Sequence, residues 1–396
     1  MVKQDSLLTK IAFLGISFVL TSAYAINGAL PQMTEALHIS STEAQVLATT
    51  PSITVTIFVL LSSFIAAKLG DKNTIILGVT LVGIAGMIPF FTDSYVIILA
   101  SRTVLGAGFG IFNSLAVSMI AVMYNGKTRS SMLGYRAAAE QVGQAVLTLL
   151  AGLLLAFGWH ATFLVYLIAF PILFLFIKRV PDTSEMTPLK TETTDSTQVE
   201  EVTRISPLVL VLTFFAAFLV IDYMAIQLSF PFMAADLKGD GYNTSPILSA
   251  MLIAATIGGV TYGWFMAKFG RFTLQIGLVL MAISNFLVAF SNGNFGMLIL
   301  GVLLIGFPLQ LISPFIFNQL PKLAPLARQS LVTSIILIGF NVGVFIEPIV
   351  VAAFAKMIGH GGGSAASSAY ATIPYLGSVL LIIAIITVIT NRKQEK

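Results

Sequence analysis

Twelve windows of about twenty apolar residues follow one another along this chain, and they restrict its possible folds more than any other feature. A bilayer core of roughly 30 Å needs about 20 apolar residues in one helix. In lipid, such a segment must satisfy its own backbone hydrogen bonds, which favours helices here. The sequence therefore predicts an all-α integral membrane fold with twelve transmembrane helices. The windows lie at about 10–31, 44–67, 74–92, 95–123, 131–157, 161–178, 207–230, 245–267, 272–291, 295–319, 328–357 and 372–391.

The composition supports a surface covered by lipid. Hydrophobic residues make up 57% and charged residues 10% of the 396 residues, whereas soluble domains carry roughly 25% charged residues. The absence of Cys excludes disulfides and thiolate metal sites, and the three His are scattered, so we expect no metal and no cofactor. No complete P-loop and no soluble domain with paired acids occur, so we expect no enzyme and no self-contained ATP-driven pump.

One polar segment divides the apolar windows into two groups of six. The stretch from Pro181 to Arg204 is rich in Thr and Glu and has few large apolar residues. Because such a composition cannot bury a core, we interpret it as a flexible linker. We therefore predict an N-terminal six-helix bundle over 1–180, a linker over 181–206 and a C-terminal six-helix bundle over 207–396.

The distribution of Lys and Arg predicts the orientation in the membrane. If the N-terminus is cytoplasmic, 18 of the 21 basic residues lie on the inside, and only Lys238 and Lys356 lie outside. The positive-inside rule thus places both termini and the linker in the cytoplasm, in a multi-pass protein of the inner (cytoplasmic) membrane. The small residues at 23–25 also fit a signal-peptidase site. We favour a retained first helix, since its removal would leave eleven spans.

A short motif recurs in the two halves. Ala67-Lys68-Leu69-Gly70 follows the second window, and Ala267-Lys268-Phe269-Gly270 follows the eighth. Each Lys would meet the negative end of a helix dipole, and each Gly tolerates the positive φ of a tight turn. We predict that Lys68, Gly70, Lys268 and Gly270 belong to paired loops that move during a conformational change.

Two motifs give the chain a resemblance to the major facilitator superfamily. The lysine-glycine loops are similar to that family's loop between helices two and three, and Arg102-Thr103-Val104-Leu105-Gly106-Ala107-Gly108 fits its Arg-x-x-x-Gly-x-Gly pattern. Of the Gly-Pro-x-x-Gly-Gly signature of drug and proton antiporters, only Gly152 is present. The resemblance implies two pseudo-symmetric six-helix bundles and transport by alternating access, most like the bacterial drug or metabolite exporters.

Three charged residues within the windows are candidates for proton coupling. A charge at the bilayer centre costs at least ~2.5–3.5 kcal/mol, so few persist without a role. Asp222 lies deep in the seventh window and Glu347 precedes Pro348 in the eleventh, where each could carry a proton or contact a cation. Arg102, in the fourth window, could organise a neighbouring carboxylate or bind an anion. The alternatives are a neutral packing role for Asp222, a solvated Glu347 near the outer interface, and a structural ion pair or snorkelling for Arg102.

Several polar residues inside the windows are candidates for substrate contact. Glu140 follows Arg136 by one turn, so it could instead form an i,i+4 ion pair that stabilises the helix end. Tyr223 is adjacent to Asp222 and points about 100° away from it. The candidates are Asn113, Glu140, Gln141, Tyr223, Gln310 and Asn341.

These observations predict a secondary transporter for the proton-coupled efflux of a small organic molecule. We expect its partners to be that substrate, protons and the lipid bilayer, with no nucleic acid, and we expect a monomer. One alternative is uptake or exchange of a nutrient or organic anion, with Arg102 as the anion contact. Another is lipid translocation, or a receptor without transport, on the same scaffold.

Overall fold

The structure, a computed structural model, describes residues 7–123, 126–180, 206–239, 241–318, 329–360 and 364–393. All regular secondary structure in these ranges is helical, which confirms the all-α prediction. The α-helices are α1 (Leu7–Leu20), α2 (Leu30–Leu37), α3 (Ser41–Leu69), α4 (Asp71–Met87), α5 (Tyr95–Met123), α6 (Gly126–Leu154), α7 (Ala169–Arg179), α8 (Leu208–Lys238), α9 (Ser245–Phe269), α10 (Thr273–Ala289), α11 (Phe295–Phe317), α12 (Gln329–Met357) and α13 (Ala365–Lys393). Short 3-10 helices lie at Ser22–Ala29, Ile88–Phe91, Leu155–Phe157, Trp159–Ile168 and Gly270–Phe272.

Within the described ranges the helices account for twelve membrane crossings. Ten segments are long and apolar enough to cross a bilayer, and a bent pair near the N-terminus raises this number to 11. One of the ten, Ser245–Ala289, is 45 residues long and contains both α9 and α10. Counting those two helices separately gives the twelve spans that the hydropathy pattern predicts.

Large apolar side chains cover the outside of these helices. Phe64 is 72% exposed, Phe214 75% and Val260 80%. Exposed apolar surface on this scale is unusual for a soluble monomer. Because it lies on helices long enough to span a bilayer, lipid is its natural solvent.

The first span differs from the prediction, which placed a single helix at 10–31. Helix α1 ends at Leu20, the 3-10 helix Ser22–Ala29 follows, and α2 continues to Leu37 with a bend of 43°. Ser22, Asn27 and Gly28 lie in the interrupted stretch. Ser and Asn compete with helical hydrogen bonds, and Gly lowers helix propensity. Hydropathy windows register none of these effects, so they predict an unbroken helix.

Two other boundaries also differ from the prediction. Helix α8 continues through Pro231 to Lys238, whereas the predicted window ends at 230. Helix α13 begins at Ala365, seven residues before the predicted start at 372. Proline removes one backbone donor but can be accommodated where neighbouring helices cover the freed carbonyl, and Pro231 is itself buried.

Contacts between Cα atoms divide the chain into two units. The first comprises 1–29 and 47–200, and the second comprises 30–46 and 201–396. The predicted bundle boundaries at 180 and 207 stay predictions, and the predicted linker lies outside the described residues up to position 205. The cytoplasmic orientation of the termini also stays a prediction.

In the first unit, α1 packs against α6 and α7, and α4 packs against α5. The α1–α7 contact is antiparallel. Thr9 donates a hydrogen bond to the carbonyl of Arg179 at 3.3 Å, and the rings of Phe13 and Phe176 are 6.3 Å apart.

In the second unit, α8 packs against α12, and α11 packs against both α9 and α10. Glycines bring α8 and α12 together as parallel neighbours. Gly339 faces Thr213 and Gly343 faces Ala217, an offset of 126 residues in both pairs. Helix α13 packs against α10 and α8.

The two units repeat close helix contacts about 200 residues apart, to within one residue. Gly106 faces the backbone of Pro51, and Gly306 faces that of Met251. A Cβ atom on Gly143 would lie 2.6 Å from the carbonyl oxygen of Phe18, and one on Gly343 would lie 2.7 Å from that of Ala217. The internal repeat indicated by the lysine-glycine loops is therefore present in the packing.

The turn geometry of those loops is also confirmed. Gly70 has a φ of 80° and Gly270 a φ of 52°. Both values lie in the left-handed region that favours glycine. The predicted movement of these loops during transport stays a prediction.

Candidate functional site

The second unit contains a carboxyl group with a single amide partner. Asp222 on α8 is completely buried, and its Oδ1 accepts a hydrogen bond of 2.6 Å from Nδ2 of Asn285 on α10. Oδ2 of Asp222 and Oδ1 of Asn285 have no partner among the described residues. Asn285 did not emerge from the sequence as a candidate. The available signal was an amide within the stretch Met281–Ala289, which is apolar apart from Asn285 and Ser284.

A second buried carboxyl group lies at the same level of the unit. Glu347 on α12 is 0% exposed, and neither of its carboxylate oxygens has a partner among the described residues. The offset of 126 residues between α8 and α12 places Glu347 level with Ile221, the residue before Asp222. The structure therefore brings the two acids to the same height on adjacent helices. It replaces the alternative of a solvated Glu347, because this side chain is not exposed.

No basic side chain near these acids on their own helices balances their charge. Lys238 lies in the last turn of α8 and Lys356 in the last turn of α12. At 1.5 Å per residue, they are about 24 Å from Asp222 and about 14 Å from Glu347 along the helix axes. An isolated ionised carboxylate in an apolar environment is very costly. Each acid can therefore bind a proton or a small cation, which would neutralise its charge in place of a basic side chain.

In the first unit, Arg102 holds the interrupted first span in place. The guanidinium is 1% exposed and donates to the carbonyls of Ala23 at 2.6 Å and Leu47 at 3.1 Å and to the hydroxyl of Tyr166 at 2.6 Å. The Tyr166 hydroxyl in turn donates to the carbonyl of Ser22 at 3.0 Å. Carbonyls at the end of a helix lack intrahelical partners. Arg102 and Tyr166 together supply donors to the chain just after α1, and the proton-coupling role of Arg102 stays a prediction.

A half-buried polar cluster in the first unit contains two of the predicted substrate contacts. Arg136 pairs with Glu140 at 2.6 Å and donates to Oδ1 of Asn113 on α5 at 2.6 Å. The side chains of Arg136 and Glu140 are 15% and 21% exposed. The i,i+4 alternative for Glu140 is therefore present, and it also recruits Asn113. Arg136 itself was not a predicted site residue, although its spacing from Glu140 indicated it.

The remaining predicted substrate contacts lie at scattered places in the fold. Gln141 on α6 is half-buried, and Tyr223 on α8 is 7% exposed. Gln310 on α11 is half-buried. Asn341 on α12 donates from Nδ2 to the carbonyl of Leu337, one turn earlier. Their contact with substrate stays a prediction.

Two buried amides that the sequence did not single out occupy matching positions in the repeat. Asn27, in the 3-10 helix of the first span, is 0% exposed, and neither its Nδ2 nor its Oδ1 has a partner within the described ranges. Gln227 on α8, 200 residues later, is 2% exposed, and its Oε1 is likewise unpartnered there. Buried amides normally form hydrogen bonds. These groups can therefore bind a polar ligand or water.

At the paired loops, the lysines lie in different environments. Lys268 Nζ lies 4.8 Å from the centre of the Trp264 ring and 5.6 Å from that of Phe269. Lys68 is exposed, and its neighbour Lys72 donates to the carbonyl of Ile177 at 3.1 Å. The two loops thus share a turn but differ in what holds them.

Comparisons with known proteins agree with the twelve-helix architecture. The family model described as Major Facilitator Superfamily matches residues 12–242 and 212–396. A crystal structure of the nucleoside transporter NupG superposes with a TM-score of 0.76 at 12% identity, covering 96% of this chain and 99% of that one. A POT family transporter in complex with a thioalcohol-conjugated peptide superposes with a TM-score of 0.77 at 14% identity, covering 98% and 96%. At these identities the likeness to solved structures shows the fold.

Proposed function

Because the chain belongs to the major facilitator superfamily, we propose that it is a secondary transporter that exports a small organic molecule in exchange for protons. In this proposal the protein transports its substrate by alternating access. Both termini face the cytoplasm, and the protein lies in the inner membrane. The carboxyl groups of Asp222 and Glu347 carry the coupling protons.

The observation that supports this proposal is a pair of buried acids for which the described residues provide no ion pair. A purely structural acid would be expected to have its oxygens satisfied by donors. Glu347 has neither oxygen satisfied and Asp222 only one, within the described residues. Protonation removes the charge and makes burial inexpensive, whereas deprotonation favours a conformation in which the acids reach water. This difference between states is what couples a proton to a conformational change.

Substrate contact is assigned to groups that can exchange hydrogen bonds. Asn113, Arg136 and Glu140 form one half-buried cluster. The amide of Asn27 and the Oε1 of Gln227 have no partner among the described residues. These side chains suit a substrate with polar or charged groups. We propose that Gln141, Tyr223, Gln310 and Asn341 complete the contacts, while Arg102 acts as the organiser of the first span.

One observation favours a second candidate, the uptake of a polar nutrient or organic anion. Arg136 is partly accessible, and its Nε has no partner among the described residues. It can therefore donate to an anionic group, whereas the Arg102 guanidinium is buried and donates to protein oxygens. In this candidate Arg136 replaces Arg102 as the anion contact. The similar structures named above are a nucleoside transporter and a POT family transporter in complex with a thioalcohol-conjugated peptide.

Transport by the full chain in proteoliposomes under an imposed pH gradient tests both candidates. Suitable probes are ethidium as a cationic drug, uridine as a nucleoside and dialanine as a dipeptide. Proton-coupled export predicts uphill movement of a probe against the proton flow in the wild type, and loss of that movement in Asp222→Asn and Glu347→Gln. Asp93→Asn is a matched control, because Asp93 is an exposed carboxylate that contacts His160 at 2.9 Å.

The outcomes separate the candidates. If both buried-acid variants transport uphill as the wild type does, the acids carry no coupling proton. If a probe moves in the same direction as the protons, and Arg136→Gln weakens its binding, the uptake candidate replaces export.

A further inference from the structure

The Asp222–Asn285 contact has two unsatisfied atoms that one proton would satisfy together. Nδ2 of Asn285 already donates to Oδ1 of Asp222 at 2.6 Å. The two atoms left without a partner among the described residues are Oδ2 of Asp222 and Oδ1 of Asn285. Both are acceptors when the acid is ionised. A protonated Oδ2 becomes a donor, and an amide oxygen is its complementary acceptor.

We propose that Asp222 and Asn285 form a closed acid–amide pair that holds one proton, and that loss of this proton loosens the contact between α8 and α10. In the closed pair the amide N–H donates to one carboxyl oxygen, and the O–H of the other donates to the amide oxygen. On deprotonation the O–H bond breaks, the proton leaves to water, and the electron pair remains on Oδ2. Two acceptors then face each other, and only the N–H bond is left.

The surroundings of Asn285 hold the amide in this arrangement. A Cβ atom on Gly377 of α13 would lie 3.0 Å from the Cβ of Asn285. The same Cβ position is 3.5 Å from Nδ2 of Asn285, so the backbone of α13 lies directly against this side chain, and a larger residue at 377 would not fit without a shift. Asn285 itself is 0% exposed. The amide is a positioning residue, with Asp222 as the group that exchanges the proton.

An amide suits this role better than a basic residue. Arg or Lys would hold the acid permanently ionised, whereas Asn can donate to the carboxylate and also accept from the carboxylic acid. The same partner thus serves both charge states. That property is what a site that takes up and releases a proton requires.

Among the other titratable groups around the pair, Glu347 is the one most able to add its own pH dependence to the melting temperature. Helices α10 and α11 contain no titratable residue. Glu347 is the acid at the level of Asp222, so the test is carried out with Glu347→Gln as a common background. The remaining titratable residues on α8 and on the helices packed against α8 or α10 are Glu35, Tyr223, Asp236, Lys238, Tyr262, Lys268, Arg271, Lys356, Tyr370, Tyr375, Arg392 and Lys393.

The test measures the melting temperature of the purified full chain in detergent from acidic to alkaline buffer, with choline as the added cation. Because the protonated pair has one more buried hydrogen bond than the ionised pair, the parent should melt about 1–2 °C higher in acid. Asp222→Asn should remove this difference, since its amide supplies a permanent N–H to Asn285. The exchange Asp222→Asn with Asn285→Asp should restore it, because the acid and the amide have only changed places.

Ser284→Ala is the matched control on α10. Ser284 is buried and donates to the carbonyl of Gly301 at 2.7 Å without contacting Asp222 through any described hydrogen bond. Its loss should lower the melting temperature equally at all pH values. If Asp222→Asn keeps the pH dependence of the parent, or the exchange variant folds without restoring it, the acid–amide pair is wrong.

Two further measurements keep the inference testable if the exchange variant does not fold. The infrared carbonyl band of a protonated carboxylic acid should be present in the parent and absent in Asp222→Asn, and its presence in both would overturn the pair. Replacing choline with sodium should leave the alkaline melting temperature unchanged, whereas a rise that requires Asp222 would show a bound cation instead of a proton.

The inference rests on the proposed function only for the use to which the proton is put. The melting and infrared measurements involve no transport. If the melting and infrared results contradict the pair but export is lost in Asp222→Asn and Glu347→Gln, the proposed function stands. If they support the pair but transport is not coupled to protons, only the proposed function is wrong.

Discussion

The stretches 22–29 and 222–229 occupy matching places in the 200-residue repeat, yet they are built differently. The first is a 3-10 helix within a bent span, and Arg102 and Tyr166 donate to its first carbonyls. The second belongs to the continuous helix α8 and begins with Asp222, which has one amide partner.

The difference separates two uses of a buried charge. Arg102 is surrounded by acceptors that suit its permanent positive charge, and it thereby fixes an irregular backbone. Asp222 lies in a regular backbone that needs no such support, and its surroundings satisfy only part of its hydrogen-bonding capacity. The first stretch is therefore expected to resist change, and the second to respond to protons.

The largest expected effect is that of Arg102→Ala. It removes the donors to Ala23, Leu47 and Tyr166 and leaves their oxygens buried, so the free energy of unfolding should fall by about 3–5 kcal/mol. Denaturant titration in detergent measures it, with the exposed Lys178→Ala as a control. If Arg102→Ala loses no more stability than the control, the stretch 22–29 does not depend on hydrogen bonds from Arg102.

A smaller effect is expected from closing the space at the two equivalent glycines. Gly143→Ala and Gly343→Ala each place a methyl group against a backbone carbonyl, which should cost about 1–3 kcal/mol in each unit. Gly263→Ala on α9 is the control, because nothing lies within 4 Å of its Cβ position, and it should gain about 0.5–1 kcal/mol from helix propensity. If the two variants lose unequal amounts of stability, the repeat extends to the arrangement of the helices but not to the tightness of these contacts.

Tyr166→Phe should cost about 1–2 kcal/mol, because it removes one donor to Ser22 and one acceptor for Arg102. The loss should be the same in acidic and alkaline buffer, unlike the effect of Asp222→Asn. If Tyr166→Phe, and not Asp222→Asn, changes how the melting temperature depends on pH, then stretch 22–29 responds to protons and stretch 222–229 does not, contrary to our expectation.

The smallest effect concerns the paired loops. Lys268→Ala removes a cation–π contact with Trp264 and should cost about 0.5 kcal/mol, since such contacts are weak at exposed sites. The equivalent Lys68→Ala, for which no ring contact is described, should change stability less. The same denaturant titration measures both variants. A larger loss of stability in Lys68→Ala than in Lys268→Ala would contradict this prediction.

The sequence predicts the helices well because hydropathy is a property of each segment alone. It also predicts that Asp222 is deep in a span, and the side chain is completely buried. It misses Asn285, because an amide in a mostly apolar helix carries no information about which helix it faces. The partners of Arg102 were equally unpredictable, since two of them are backbone carbonyls, and the interruption at Ser22 depends on those contacts as much as on local propensity.

The interrupted first span also has a consequence for biogenesis. The first span consists of α1, the 3-10 helix Ser22–Ala29 and α2 together. The carbonyl of Ala23 finds its donor in Arg102, which is synthesised roughly 80 residues later. Until the fourth span has been synthesised, the bend of the first span therefore lacks the guanidinium that donates to it in the folded protein.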